Sequence, residues 1–267
     1  MVTQSAAAGS IITLSQSTAI IPAGSSVTVG EGSRIGSSGS IVVNGTLSIV
    51  GTSSVVTVSG VGFHVASGGT LSLAHVDLGM TPKALTVDTD AQSAMLDFVH
   101  ISQGGEISIQ GGTVLIDHST IEGGGGMNIG ANAMNVEIRN SLLSTTGPSG
   151  PDFLVVNGGS VHAHHNTFSN THCAFHVNSG GDVLIESNNI NGNAYAIMFG
   201  GASVTLRDNN VGSATGSAPD ELLQTALDGM LSVQNDFFSH GCPANAMHGV
   251  TVLGCANAPV SGAGPQP

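Results

Sequence analysis

The sequence predicts an all-β chain folded as one right-handed parallel β-helix, a single-domain solenoid of about 10 to 12 coils with one short helix near its C-terminal end. Three observations carry this expectation. An eight-residue motif recurs without gaps, glycine pairs precede many of its copies, and the composition suits short strands separated by turns. Of 267 residues, 39 are Gly, 40% are hydrophobic and only 8% are charged.

The motif is apolar-x-apolar-x-x-[Asn/Ser]-x-apolar. Its eight segments are LSLAHVDL from Leu71, AMLDFVHI from Ala94, VLIDHSTI from Val114, VEIRNSLL from Val136, VHAHHNTF from Val161, VLIESNNI from Val183, VTLRDNNV from Val204 and LSVQNDFF from Leu231. Successive starts lie 20 to 27 residues apart, one coil length. In a parallel stack, equivalent positions fall about 4.8 Å apart, so each column of this alignment becomes a ladder along the axis. The first, third and eighth columns are apolar and face inward; Leu78, Ile101, Ile121, Leu143, Phe168, Ile190, Val211 and Phe238 make the eighth. The sixth runs Ser119, Ser141, Asn166, Asn188, Asn209, Asp236, short polar groups placed to bond from coil to coil at a bend.

Glycine pairs at Gly68-Gly69, Gly111-Gly112, Gly158-Gly159, Gly180-Gly181 and Gly200-Gly201 stand just before motif copies, often with another alternating strand ahead of them, such as FHV from Phe63 or from Phe175. Each coil therefore reads strand, glycine turn, strand, Asn bend, short third strand. Residues 1–19 are expected to be an N-terminal cap or flexible start, and residues 20–255 the β-helix. PDELLQTALDG from Pro219 predicts a helix over about 219–229, with proline at its start and Asp220 and Glu221 in its first turn. Residues 256–267, rich in Gly and Pro, predict a loose tail.

Charge narrows the partners. Four Lys and Arg against 17 Asp and Glu give a formal net charge of −13, and Lys83 is the single lysine. Nucleic acids and anionic membranes need basic surface, so neither is an expected partner. No stretch reaches the roughly 20 apolar residues of a membrane span. The start MVTQSAAAGS has neither the basic nor the apolar region of a signal peptide. The Ser/Thr/Asn/Gly-rich composition nonetheless points to an extracellular or cell-surface location. Cys242 and Cys255 flank one short segment and are placed to form a disulfide; Cys173 reads as a small buried hydrophobe.

The NN and HN dipeptides before an apolar residue, in HHNTF from His164, SNNI from Ser187 and DNNV from Asp208, resemble the parallel β-helix repeats of the pectate-lyase-like superfamily. IIPAGSSVTVGEGSRI followed by GSIVVNGTLSIVG is similar to the opening coils of bacterial extracellular β-helices. The resemblance spans roughly residues 20–255 and implies an architecture that hosts lyases, hydrolases, epimerases, adhesins and inert rods alike.

The fourth column faces outward: Ala74, Asp97, Asp117, Arg139, His164, Glu186, Arg207, Gln234. In residue type, Asp97, Asp117 and Arg139 resemble the site of β-helix polysaccharide lyases and hydrolases, where carboxylates hold calcium or do acid–base work beside a cation. The same row also reads as a solvated ladder of alternating charge. With only Arg34, Lys83, Arg139 and Arg207 to hold substrate carboxylates, the ladder is favoured. Five of eleven histidines, His162, His164, His165, His172 and His176, fall within fifteen residues, and His162, His164 and His176 form a candidate transition-metal set. With no Trp and one Tyr, stacking on sugar rings is poorly supported.

The expected function is a non-catalytic extracellular structural or adhesive rod that needs no cofactor, with a surface glycan or further copies of itself, end to end or side by side, as partner. The alternatives are a polysaccharide-processing enzyme using Asp97, Asp117 and Arg139, with calcium as the plausible ion, and a histidine metal-binding module.

Overall fold

A computed structural model describes residues 2–14, 17–79, 81–103, 105–212, 221–226, 229–243 and 249–267. Strand pairing among them is parallel throughout, with a lone antiparallel bridge between Gly130 and Gly158. The chain winds as a right-handed solenoid of about 11 coils.

Each coil has three faces. The first carries motif positions one to four, as in Thr113–Asp117, Asn135–Arg139 and Val161–His164. The second carries positions seven and eight, as in Leu142–Thr145 and Thr167–Ser169. The third carries the extra alternating strand, as in Met127–Gly130 and Leu154–Asn157. The register deduced from sequence holds without a slip: Asp97 pairs with Ala74 and Asp117, Asp117 with Arg139, Arg139 with His164, His164 with Glu186, and Glu186 with Arg207.

Alternation explains the core. Positions one, three and eight are buried in all eight motif coils, and third-face side chains such as Phe63, Phe175 and Phe199 fill the remaining side. Phe168 packs between Phe153, edge-on at 5.7 Å, and Phe175, at 4.4 Å.

The turn into the first face uses glycine for two separate reasons. Gly68 has φ 72°, a left-handed conformation that a Cβ disfavours, whereas any Cβ on Gly69 would run into the carbonyl oxygen of Val43 in the coil below.

Position six seals the second bend. The N–H of each coil donates to the position-six side chain of the next: Val99 to Ser119 (3.1 Å), Ser119 to Ser141 (3.1 Å), Ser141 to Asn166 (3.0 Å), Asn166 to Asn188, Asn188 to Asn209, and Asn209 to Asp236 (each 2.9 Å). These side chains are at most 2% exposed, so the ladder satisfies backbone donors that water cannot reach. A shorter second ladder, invisible in the motif, links Thr171 N–H to Asn193 Oδ1 at 3.2 Å.

Three expectations are corrected. Within the predicted helix of 219–229, Leu222–Gln224 is a third-face strand, paired with Ile197–Phe199. Leu222 is buried above Ile197, and buried Glu221 bonds Ser239 (2.6 Å) and His240 (3.0 Å), so tertiary packing overrides local helix propensity. Residues 219, 220, 227 and 228 lie outside the described residues. The stretch 1–19 is a coil rather than a separate cap: Val2–Ala6, Ile11–Thr13 and Thr18–Ile21 pair with Ser25–Val29, Arg34–Gly36 and Ser40–Val43. Its strands continue the same period-two alternation, which suffices to join the stack. The tail is tied down: Val260 N–H donates to Asn210 Oδ1 (2.6 Å), Asn189 Nδ2 to Ala263 O (3.0 Å) and Gly264 N–H to Ser187 O (2.8 Å). Amides at position seven, Asn189 and Asn210, supply partners that a Gly/Pro composition does not reveal.

Cys242 and Cys255 form a disulfide with Cα atoms 5.9 Å apart. Cys173 is buried, and burial pushes its thiol far up.

Candidate functional site

Neighbouring residues on a strand point to opposite faces, yet at the bend after position four they do not. Position five takes a left-handed φ in all eight motif coils, at His75, Phe98, His118, Asn140, His165, Ser187, Asp208 and Asn235, between 45° and 59°. This conformation brings the position-five side chain to the outside, beside position four. Two outward columns therefore become three: two, four and five.

Asp117 sits at the centre of one such cluster and is 7% exposed. Its Oδ2 accepts from Arg139 Nε at 2.7 Å; its Oδ1 accepts from Asn140 Nδ2 at 2.9 Å and lies 2.9 Å from His118 Nδ1. Burial pushes this carboxyl up, but the bonds from Asn140 and Arg139 and the charges of Arg139 and His118 outweigh it and leave it below the ordinary carboxylate range. Asp97 Oδ1 stands 3.8 Å from His118 Nδ1. The ligand atoms of Asp97, Asp117 and His118 lie within 4.8 Å of one another, while Arg139 occupies Oδ2 of Asp117. Outside them, the rings of His75, Phe98 and His118 stack at 4.8 and 4.7 Å.

The row continues without interruption. Arg139 Nη1 donates to Glu137 Oε1 at 3.0 Å, and the same oxygen accepts from His164 Nε2 at 3.1 Å. The His162 ring stacks on that of His164 at 4.3 Å, and its Nε2 reaches Glu186 Oε2 at 3.2 Å. Glu186 Oε1 accepts from Arg207 Nε at 2.9 Å and Nη2 at 2.6 Å. Burial pushes Glu186 up, but Arg207 and His162 bring it below its usual value. Burial, with repulsion from His162 and His165, lowers the His164 imidazole below its ordinary value against the pull of Glu137. From Asp97 to Arg207, opposite charges and imidazoles alternate in one connected chain.

Beside this row runs an open groove of about 600 Å³, with Leu115, Met134 and Leu184 as apolar wall and Glu137, His162 and Asp182 as polar wall. Among the described residues no helix is long and apolar enough to cross a membrane.

Residues 87–211 match the family model described as right handed beta helix region. The match covers just under half of the chain, and the fold of the chain is a right-handed parallel β-helix. No curated protein and no solved structure matches it. The pectate-lyase-like resemblance is consistent with the match, which speaks for the β-helix architecture and leaves activity open.

Of the residues singled out from sequence, this β-helix brings Asp97, Asp117 and Arg139 together, with Arg139 neutralising Asp117. It does not assemble His162, His164 and His176. The first two share the first face, whereas His176 lies on the third, between Val155 and Met198. There Asp152 accepts from His172 Nδ1 through one oxygen and from His176 Nδ1 through the other, each at 2.7 Å. The triad misses because two bends and the strand Thr167–Ser169 separate residues 162 and 176, a distinction the histidine spacing lacks. His118, Asn140 and Glu137 were not singled out from sequence, and His165, named in the histidine cluster, was left out of the metal set. The signal for His118, Asn140 and His165 was the fifth column of the alignment, polar or aromatic in every copy.

Proposed function

We propose that this β-helix is a non-catalytic structural or adhesive rod outside the cytoplasm, presenting its first face to a surface glycan or to other copies of itself. The connected row from Asp97 to Arg207 carries this reading: its cations and carboxylates, buried Asp117 among them, are paired with one another rather than held free for a substrate. The Cys242–Cys255 disulfide supports an oxidising compartment, and a formal charge of −13 keeps such a surface soluble.

The decisive experiment incubates the purified protein with a panel of uronate-containing and neutral polysaccharides, with and without calcium, reading unsaturated products and reducing ends. The expected result is retention of glycan or self-association by sedimentation with no new chain ends. Turnover by the wild type that disappears in Asp117→Asn sinks the rod reading. It would establish the second one, a polysaccharide-processing enzyme, which the 4.8 Å grouping of Asp97, Asp117 and His118 favours.

A further inference from the structure

We propose that His164 and His165 form a two-nitrogen binding site for a divalent transition-metal ion of the copper class, backed by Glu137. This site replaces the uncollected set of His162, His164 and His176 and stands independently of the rod's role.

The geometry begins with the bend. His165 has φ 56°, so its ring turns to the same side as that of His164, and the two Nδ1 atoms come within 2.9 Å. Two nitrogens bound to one ion at roughly 2.0–2.1 Å lie about 2.9 Å apart when the angle at the metal is a right angle, and about 3.4 Å apart when it is tetrahedral. A hydrogen bond already holds the two nitrogens at this right-angle spacing, which square-planar and tetragonal Cu²⁺ or Ni²⁺ use.

The remaining ring positions suit the role. His164 Nε2 faces a carboxylate oxygen of Glu137 at 3.1 Å, and a carboxylate only accepts, so the His164 proton sits on Nε2 and Nδ1 carries a lone pair. That is the outer-shell arrangement that fixes tautomer and ring orientation in metal-binding histidines. Arg139 donates to the same Glu137 oxygen and holds it in place. His162 covers one face of the His164 ring. In the metal-free protein His165 Nδ1–H donates to His164 Nδ1. Metal entry moves that proton, through water, to Nε2 of His165; no proton is lost overall, and two nitrogen lone pairs bind the ion. Both side chains keep partial exposure, so water completes the coordination.

The substitutions that test this are ones the fold already tolerates. Asn140 and Asn235 occupy position five with the same left-handed φ, and Gln234 occupies position four, so His165→Asn and His164→Gln preserve the coil. Untagged full-length protein is titrated with CuCl₂ by calorimetry and examined by electron paramagnetic resonance. The expected result is one ion per chain with coupling to two nitrogens, affinity lowered at least 100-fold in each variant, and lowered about 10-fold in Glu137→Gln. His176→Gln, on the other face, leaves the affinity unchanged. Thermal melts of metal-free variants verify the fold. Absence of stoichiometric binding, or binding that survives His165→Asn in a folded protein, overturns the proposal, as does loss of binding in His176→Gln.

Discussion

The side-chain oxygen of Asn209 accepts two hydrogen bonds from Asn188, one from its backbone N–H at 2.9 Å and one from its Nδ2 at 3.0 Å. Asn188 in turn serves Asn166 in the same way, and its Nδ2 also reaches Ala163 O at 2.9 Å. Asn188→Ala strands the Asn166 donors and the Ala163 carbonyl in a dry bend, a loss of about 3–5 kcal/mol. Asn188→Ser keeps an acceptor for Asn166 N–H, as Ser141 does for Ser119, and loses about half as much. Urea midpoints of the two variants give the ranking; equal losses would show that the acceptor is unimportant.

Asp117→Ala removes the partner of Arg139 and Asn140 and is expected to lower stability by about 1–3 kcal/mol at pH 7. The sign of its pH dependence follows from a carboxyl held below its ordinary value in the folded protein. Its stabilisation is present above the unfolded value of about 3.9 and disappears as pH falls through the lowered folded one. Melting curves of wild type and variant therefore converge at strongly acidic pH.

Asp236 behaves in the opposite sense. It ends the ladder buried, and burial pushes its carboxyl up to about 6 despite bonds from Asn209 and Gln234, with Asp208 adding repulsion. The folded state thus favours the protonated form, and the associated stability is complete below about pH 4 and lost as pH rises through about 6. Relative to Asp236→Asn, the wild type should weaken across that window by on the order of 3 kcal/mol. A pH-independent difference in melting temperature between the two proteins would contradict the assignment.

Reduction of Cys242–Cys255 opens a loop with a sequence separation of 13 at one end of the stack. In a solenoid, stability is close to a sum of nearest-neighbour terms, so the damage stays local. Hydrogen exchange after mild reduction should accelerate at Val250–Cys255 and leave Val183–Glu186 unchanged. Acceleration spreading through the central coils would reveal global cooperativity instead.

The coil register was legible because a parallel solenoid converts sequence period into spatial columns, and the burial of Leu78 through Phe238 follows directly from that. The row from Asp97 to Arg207 was legible for the same reason. Backbone conformation at position five was legible only in part: His, Asn and Asp favour a left-handed φ more than most residues, but Phe98 and Ser187 adopt it without that preference. That conformation decides which histidines meet, pairing His164 with His165 and sending His176 elsewhere. Strand formation at Leu222–Gln224 escaped notice because the local pattern of helix signals is short-range, while the pairing with Ile197–Phe199 is not. The tail's docking likewise depends on amides displayed by coils far upstream.

The position-six ladder has an arrow. Every backbone donor in it points to a side chain in the coil that follows, from Val99 to Asp236, while the amides of Asn166, Asn188 and Asn209 also reach back to carbonyls of the coil before. The backbone donor at position six of each coil therefore stays unmet until the following coil supplies its acceptor, and a chain cut short within this region leaves one such donor without its partner at the last coil.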